Sequence, residues 1–193
     1  MARVSKQQME RNREEIIHVS SQLFRERGLN GVSVNDLMAA AGLTHGGFYG
    51  HFASKDELVA IASRKVFEDA CIQWRAISQQ PGQNNLYTLV EYYLSARHRD
   101  DVKDGCAITA LASDVARESE EKPIREVYLN GVKDMLNRLE PLSDKENGEQ
   151  RRQQVLTQTA LLVGALMLSR ATCGDPLSDE FLAAAKKALL NEA

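Results

Sequence analysis

Helical periodicity runs through nearly the whole chain and constrains the fold more than any other feature. Proline (4 residues) and glycine (12) are sparse among the 193 residues. No alternating run of β-branched residues reaches the length of a strand, whereas apolar residues recur at helical spacing in successive segments. We therefore expect an all-α fold of about nine helices, because the pattern leaves no segment for a sheet.

Local signals place the ends of most of these helices. Two capping boxes, Ser33-Val34-Asn35-Asp36 and Ser54-Lys55-Asp56-Glu57, predict helix starts, and Thr44 is expected to cap a short helix between them. Gln79 to Gly82 predicts a turn. The predicted helices cover residues 8–27, two short segments after 33 and 44, a long segment from 54 to about 78, and then 85–99, 105–117, 122–139, 149–172 and 178–191.

Three glycines, Gly46, Gly47 and Gly50, fall inside one of the short predicted helices. Each glycine in a helix costs roughly 1 kcal/mol relative to alanine. Two short helices joined by a tight turn and supported by a longer first helix are typical of a helix-turn-helix, whose second helix lies in the major groove of DNA. The glycines would then leave the DNA-facing side without side chains, so that the backbone can approach the duplex closely, while Phe48 and Phe52 point into the core.

The distribution of charge is consistent with a nucleic-acid partner but does not require one. The net charge is −3, yet residues 1–65 hold nine Lys or Arg against seven Asp or Glu. The first 13 residues include Arg3, Lys6, Arg11 and Arg13 against Glu10 alone. Such an asymmetry favours a polyanion near the N-terminus, although a solvated terminus explains the same charges.

The remaining bulk features indicate a cytoplasmic protein with no membrane partner. Met1 to Gln8 lacks an apolar run, so no secretory signal is expected. The longest apolar run, Ala160 to Leu168, is too short to span a bilayer. Three widely spaced cysteines without a CxxC pair exclude a disulfide framework and a zinc ribbon. Cys71 and Cys173 are expected in the core.

One ordered set of residues resembles the DNA-binding signature of the TetR family of one-component transcriptional regulators. The set runs from Gly31 to Leu37 and from Ala41 to Thr44, then through Gly46, Phe48-Tyr49, His51-Phe52 and Ser54 to Leu58. The resemblance covers roughly residues 10–60. Beyond it, the chain is similar to the family only in length and number of helices.

The resemblance implies a DNA-contacting set within the short helices and their caps. Phosphate contacts would come from the Ser33 and Thr44 caps, the Tyr49 hydroxyl, His51 and Lys55. Family members often contact bases at the positions of Asn35 and His45. The expected DNA-binding residues are Ser33, Asn35, Thr44, His45, Gly46, Gly47, Tyr49, His51 and Lys55.

The chain departs from the family pattern at three positions of the second short helix. Where family members frequently have a long residue, a hydroxyl and a bulky residue, this chain has His45, Gly47 and Gly50. Few side chains remain to read bases. We therefore expect specificity to come largely from Asn35, His45 and the shape of the DNA.

The resemblance also implies two domains and a homodimer. Residues 1–55 would form the helix-turn-helix domain and residues 56–193 an effector-binding and dimerisation domain. A dimer places two recognition helices on a palindromic double-stranded operator, about 34–36 Å apart for adjacent turns or further for a wider family spacing. The last two helices would form the interface, through Leu162, Val163, Leu166, Phe181 and Leu189. An ordinary internal core is the alternative for these apolar residues.

The middle helices concentrate aromatic residues, and by resemblance they would enclose a cavity for a small-molecule effector coupled to the DNA-binding helices through the long helix 54–78. The expected lining residues are Phe67, Trp74, Tyr92, Tyr93, Cys106, Tyr128 and Met135. For any single aromatic residue, an ordinary place in the core is the favoured interpretation. Cys106 is either a reactive thiol at a helix start or a small buried hydrophobe.

An enzyme and a helical protein-binding adaptor are the rival classes. The chain has no P-loop, no GxGxxG and no HExxH, and its one Glu-x-x-His, Glu15 to His18, lacks the second copy that a di-iron bundle needs. No catalytic residue, cofactor or metal is therefore expected. The preferred function is a ligand-responsive transcriptional regulator, and repression rather than activation is a family expectation.

Overall fold

The computed structural model describes residues 5–78 and 85–190, with the backbone alone over 75–78. Every regular element in these ranges is helical, which confirms the predicted all-α fold. The predicted turn at 79–82 and the basic residue Arg3 lie outside the described residues. The α-helices are α1 (Lys6–Arg27), α2 (Val34–Ala40), α3 (Lys55–Ser78), α4 (Asn85–Tyr93), α5 (Ala96–Asp100), α6 (Ala107–Arg117), α7 (Pro123–Leu139), α8 (Gly148–Ala171) and α9 (Leu177–Leu190), and 3-10 helices cover His45–Gly50 and Glu140–Leu142.

The first capping box forms as the sequence predicts. The Ser33 hydroxyl accepts a hydrogen bond from the Asp36 backbone N–H (3.2 Å), and the Asp36 carboxylate accepts one from the Ser33 backbone N–H (2.8 Å). The helix ends before Gly42, whose φ of +69° favours glycine and forms the turn. Phe48 and Phe52 are buried as predicted, so α1, α2 and the 3-10 helix share one core.

The next two predicted caps differ from their expected form. Thr44 occupies the N-cap position, but within the described residues its side chain makes no capping hydrogen bond. The helix that follows is a 3-10 helix, His45–Gly50, which we call the short helix. At the start of α3 the Ser54 hydroxyl accepts from the Glu57 N–H (3.1 Å), while the Glu57 carboxylate accepts from the Ala53 N–H (2.6 Å) instead of the Ser54 N–H.

The helices after the short helix, α3 to α9, pack against one another, and we call them the second body. α3 packs against α1 on one side and α7 on the other, and α6 contacts α1, α7 and α8. α8 and α9 pack along each other as a pair. None of the helices in the described ranges combines the length and apolar character needed to cross a bilayer.

The single helix predicted over 85–99 is wrong, because the structure breaks it at Leu94 and Ser95. The Ser95 hydroxyl accepts a hydrogen bond from the His98 N–H (3.1 Å) and caps a new helix, α5. Serine competes for backbone N–H groups in this way. The break frees the Tyr93 carbonyl from the helical ladder, and the His98 ring binds it instead.

The expected burial of two cysteines is also wrong. Cys173 is exposed in the loop between α8 and α9, and Cys71 is only partly buried on α3. Cys71 lies between Ala70 and Ile72 within α3, whereas Cys173 follows the end of α8 at Ala171, where the apolar face ends.

Candidate functional site

The outer surface of the short helix has almost no side chains. A Cβ added at Gly46 or Gly50 would have no atom of the described residues within 4 Å, and one at Gly47 would make only an ordinary contact with Met38. None of the three has a positive φ. Neither the backbone nor packing within the described chain therefore requires glycine at these positions, and the absence of side chains leaves the backbone itself accessible.

Polar side chains surround this bare surface. Asn35, Thr44 and His45 are exposed, and Tyr49 is 67% exposed. The Tyr49 ring packs its edge against Phe48, which lies in the core, with 5.2 Å between ring centroids. That contact holds the ring while leaving the hydroxyl in solvent. A donor hydroxyl and an imidazole thus lie beside the accessible backbone, and the Asn35 amide is exposed on the neighbouring α2.

Three residues of the expected DNA-binding set are engaged within the chain. The Ser33 hydroxyl donates to the Asp36 carboxylate (2.6 Å), so Ser33 cannot also donate to a phosphate while the capping box is closed. The hydrogen bonds from Ser33 lower the pKa of Asp36. Lys55 donates to the Leu29 carbonyl (2.7 Å), and burial lowers its pKa. His51 is partly buried and its ring lies beside Phe52.

A cavity of about 900 Å³ lies between the helices of the second body and α1. Most of its wall is apolar, and its volume suits a drug-sized molecule. Six of the seven expected residues line it: Phe67, Trp74, Tyr92, Tyr93, Cys106 and Met135. Tyr128 does not, because its hydroxyl donates to the Ile108 carbonyl (2.9 Å) behind the wall and its ring packs on Phe67.

One wall of the cavity is held by a buried histidine. His98 Nδ1 donates to the Tyr93 carbonyl (2.7 Å), and Nε2 accepts from the Cys106 backbone N–H (3.0 Å). Both nitrogens are therefore satisfied only by the neutral ring. Burial lowers the pKa of His98, with a further contribution from Arg170. The Tyr93 hydroxyl donates to Cys106 Sγ (3.1 Å), and burial raises the pKa of that hydroxyl.

The charged part of the cavity lining was not predicted from the sequence. Arg25, Lys65 and Arg138 line the cavity together with Glu14, Asp69 and Asp104. Arg138 lies three residues after the buried Met135 on α7, and this spacing places both side chains on the same side of the helix. The described residues contain no group of three His, Cys, Asp or Glu side chains placed to hold a metal ion.

An exposed apolar stripe runs along α8, but most of the residues expected in a dimer interface are not on it. Leu162, Leu166 and Leu189 are buried in the core of the single chain, so they are unavailable to a partner. Val163 and Phe181 are partly exposed. The helical period turns the predicted leucines inward and leaves the stripe with Leu156, Ala160, Gly164, Met167, Leu168 and Ala171.

Hydrogen bonds join α1 and the loop after it to both ends of α6, and we call this contact the α1–α6 junction. Before α6, Gln22 donates to Asp104 (2.8 Å) and Arg25 donates to the Gly105 carbonyl (3.0 Å). Further along α6, the Leu29 N–H donates to Asp114 (2.9 Å). The cavity is lined by residues of both partners, so a bound molecule would touch both sides of the junction.

Comparison with known proteins finds similarity in the N-terminal part of the chain. Residues 16–61 match the family of bacterial regulatory proteins known as the tetR family. The chain is 38% identical over 58 residues to the HTH-type transcriptional regulator AcrR of Shigella flexneri, a match that covers 30% of this chain and 27% of that protein. It is 37% identical over 65 residues to the HTH-type transcriptional repressor KstR2 of Rhodococcus jostii, covering 34% and 32%. These matches therefore span about a third or less of the relatives.

Solved structures match over nearly the whole length. Escherichia coli NemR in its reduced form superposes with a TM-score of 0.76 at 22% identity, covering 94% of this chain and 96% of NemR. A TetR transcriptional regulator from Legionella pneumophila superposes with a TM-score of 0.79 at 17% identity, covering 99% and 98%. At these identities the likeness concerns the fold.

Proposed function

We propose that this protein is a homodimeric, ligand-responsive transcriptional repressor, because residues 16–61 match the TetR family of bacterial regulatory proteins and the whole chain shares the fold of such regulators. Residues 1–55 would bind DNA and residues 56–193 would dimerise and hold the ligand. The name of one matched relative, a repressor, supports repression. A helical enzyme or an adaptor without DNA binding is the alternative.

The observation that carries the proposal is the bare surface of the short helix. Gly46 and Gly50 cost helix stability, and nothing in the described chain occupies the space that their side chains would fill. The missing side chains would favour binding to a groove of duplex DNA, because the helix backbone can then approach the groove closely. Backbone N–H groups at the start of the helix can then reach phosphate oxygens.

The polar residues around that surface would position the protein and read the sequence. Thr44 and Tyr49 present exposed hydroxyls, which suits phosphate contacts. Asn35 and His45 would contact base edges, and the shape of the DNA would supply much of the remaining specificity. Ser33 and Lys55 would act mainly by holding the capping box and the Leu29 carbonyl in place.

Dimerisation would use the exposed stripe of α8 together with α9. Leu168 and Met167 are exposed, and an added Cβ at Gly164 would have no described atom within 4 Å, so a second copy could approach closely. On α9, exposed Ala183, Ala184 and Ala188 provide a similarly flat surface. Two copies would bury these residues and form a four-helix interface, as is common in the family.

Ligand binding would act on DNA binding through α3 and through the α1–α6 junction. The sequence analysis expected coupling through α3 alone, and α3 does line the cavity. The junction provides a second route, because Arg25 lies on the cavity wall and donates to the Gly105 carbonyl. A ligand shifts the equilibrium only if it binds one arrangement more tightly, so it would favour a spacing of the short helices that the operator does not fit.

A covalent response is a second candidate for the same cavity. Cys106 Sγ lines the cavity and accepts the Tyr93 hydroxyl hydrogen bond. Its addition across the double bond of N-ethylmaleimide, with the thiol proton passing to the neighbouring carbon, would change the wall directly. Release of DNA by this reagent should be lost in Cys106→Ala and retained in Cys173→Ala; release that survives Cys106→Ala would exclude the covalent response.

DNA binding itself is tested by selecting sequences from a random pool and measuring their affinity at several salt concentrations. We expect sequence-specific binding that weakens as salt rises. Asn35→Ala and His45→Ala should change base preference, Tyr49→Phe should weaken all sequences alike, and the exposed control Asn137→Ala should do neither. Equal, salt-insensitive affinity for every sequence would defeat the proposed function.

A further inference from the structure

We propose that the ligand of the cavity is an apolar molecule that carries a carboxylate, and that the guanidinium of Arg138 binds this carboxylate. The inference deepens the ligand response proposed above and rests on that proposal only for its regulatory consequence. Binding in the cavity can be measured without DNA.

Arg138 has no partner in the described part of the chain. Its Nη1 atom is buried and makes no hydrogen bond, and no carboxylate of the described residues lies within 4 Å of the side chain. A buried charged donor without an acceptor is costly, and the cost is removed when a charged acceptor arrives. Since Arg138 lies on the cavity wall, a ligand can supply that acceptor.

The other charged residues of the lining are already engaged or exposed. Asp69 forms an ion pair with Lys65 on α3. Asp104 accepts from Gln22 and lies 3.9 Å from Arg25, and Arg25 also donates to two backbone carbonyls. Glu14 is exposed on α1 and makes no ion pair within the described residues. Arg138 is therefore the lining cation that is left for a ligand.

The guanidinium of Arg138 favours a carboxylate over a phosphate as its partner. A guanidinium presents parallel N–H groups that match the two oxygens of a carboxylate. A doubly charged phosphate would need further cations, and Arg25 and Lys65 already have partners. A planar, singly charged carboxylate therefore fits the site better.

The remaining lining of the cavity indicates that the uncharged part of the ligand is apolar. Apart from the groups discussed, the cavity is bordered largely by aliphatic and aromatic side chains, among them Ile17, Val66, Leu89, Ile108, Met135 and Leu139. Such walls bind apolar groups, while a few polar groups fix orientation. The ligand would thus be amphipathic, with its charged end at α7.

Two probes of equal length isolate the role of the charge. Decanoate carries the carboxylate and decan-1-ol carries a neutral hydroxyl on a ten-carbon chain. Trp74, the one tryptophan of the sequence, lines the cavity, so its fluorescence reports occupancy by either probe. The full-length protein is titrated with each probe in the absence of DNA.

We expect decanoate to bind the wild type more tightly than decan-1-ol, and Arg138→Met to weaken decanoate binding at least about tenfold, the scale of a lost charged hydrogen bond. Decan-1-ol should bind Arg138→Met within about twofold of the wild type, which also demonstrates an intact cavity. Lys133→Met removes an exposed cation from the same helix and should change neither affinity.

Three results would overturn the inference: no binding of decanoate, decanoate binding unchanged in Arg138→Met, or equal losses for both probes. Equal losses would mean that Arg138 only shapes the wall. The operator-binding test stands apart, because a chain that binds decanoate through Arg138 but ignores DNA would refute the proposed function and leave this inference intact.

Discussion

The backbone N–H of Leu29 donates a hydrogen bond to the Asp114 carboxylate at 2.9 Å, joining the loop after α1 to the last turn of α6 across 85 residues of sequence. Gly28, just before it, has a φ of +78°. A Cβ at Gly28 would also lie 2.6 Å from the same carboxylate. The glycine therefore satisfies both the backbone conformation and the close approach of Asp114.

Asp114→Ala should destabilise the protein by about 1–3 kcal/mol, because it leaves the N–H of the buried Leu29 without an acceptor. Chemical denaturation measures this change. Asp134→Ala, which removes an exposed carboxylate from α7, is the matched control and should stay within about 0.5 kcal/mol of the wild type. Equal effects of the two variants would show that the Leu29 hydrogen bond contributes nothing.

Gly50→Ala should separate stability from DNA binding. The added methyl meets open space and reduces the freedom of the unfolded chain, so stability should rise by about 0.4–1 kcal/mol. If the bare surface faces a duplex, operator affinity should fall at the same time. Both quantities are measured on the same preparation, by denaturation and by fluorescence anisotropy.

Gly148→Ala is the control for that experiment, since its added Cβ also meets open space but lies at the start of α8. Operator affinity should be unchanged in this variant. A Gly50→Ala protein that binds its operator as tightly as the wild type would remove the reason we give for glycine in the short helix.

Mild acid should weaken the folded state through His98. Burial lowers the pKa of His98 in the folded protein, whereas an unfolded histidine takes up a proton near about pH 6.5. Below that pH the unfolded chain binds a proton that the folded chain does not, so the free energy of unfolding falls, by up to about 1.4 kcal/mol per pH unit. The stability is present above the unfolded pKa and is lost as the pH decreases.

Urea denaturation between pH 7.5 and 5 measures this dependence. His98→Gln should flatten the slope, while His45→Gln, at an exposed position, should leave it unchanged. Asp101 and Arg170 also act on the His98 pKa in opposite directions, so both residues stay in place in every variant. An unchanged slope in His98→Gln would assign the pH dependence to other groups.

Leu168→Glu should convert the proposed dimer to monomers, because it places a charge in the exposed stripe of α8. Leu129→Glu is a matched control, since Leu129 is 51% exposed on α7 and Leu168 is 47% exposed on α8. Sedimentation equilibrium gives the mass of each variant. If both variants keep the mass of the wild type, α8 does not form the interface.

The N-terminal elements could be predicted closely because their signals are local. The Ser33 capping box forms with the predicted partner, Asp36, and Gly42 forms the predicted turn with a positive φ. Burial of Phe48 and Phe52 followed from their four-residue spacing. In each case the deciding interaction lies within a few residues of sequence.

The features that sequence reasoning missed depend on contacts between distant segments. Apolar periodicity indicated that Leu162 and Leu166 are buried, but it cannot distinguish burial in the chain's own core from burial in an interface with a partner. Arg138 stood out only after the fold put it on a cavity wall without a carboxylate. The break before α5 was hidden because a single serine terminates an otherwise continuous helical pattern.

The break before α5 has a consequence for how sequence changes would alter the shape of the cavity. The His98 ring links the free Tyr93 carbonyl to the backbone N–H of Cys106, at the loop before α6. The position of this cavity wall therefore depends on hydrogen bonds to the backbone instead of on the size of side chains. Moving this serine by a few positions would therefore change the shape of the cavity wall without changing any residue of the short helix.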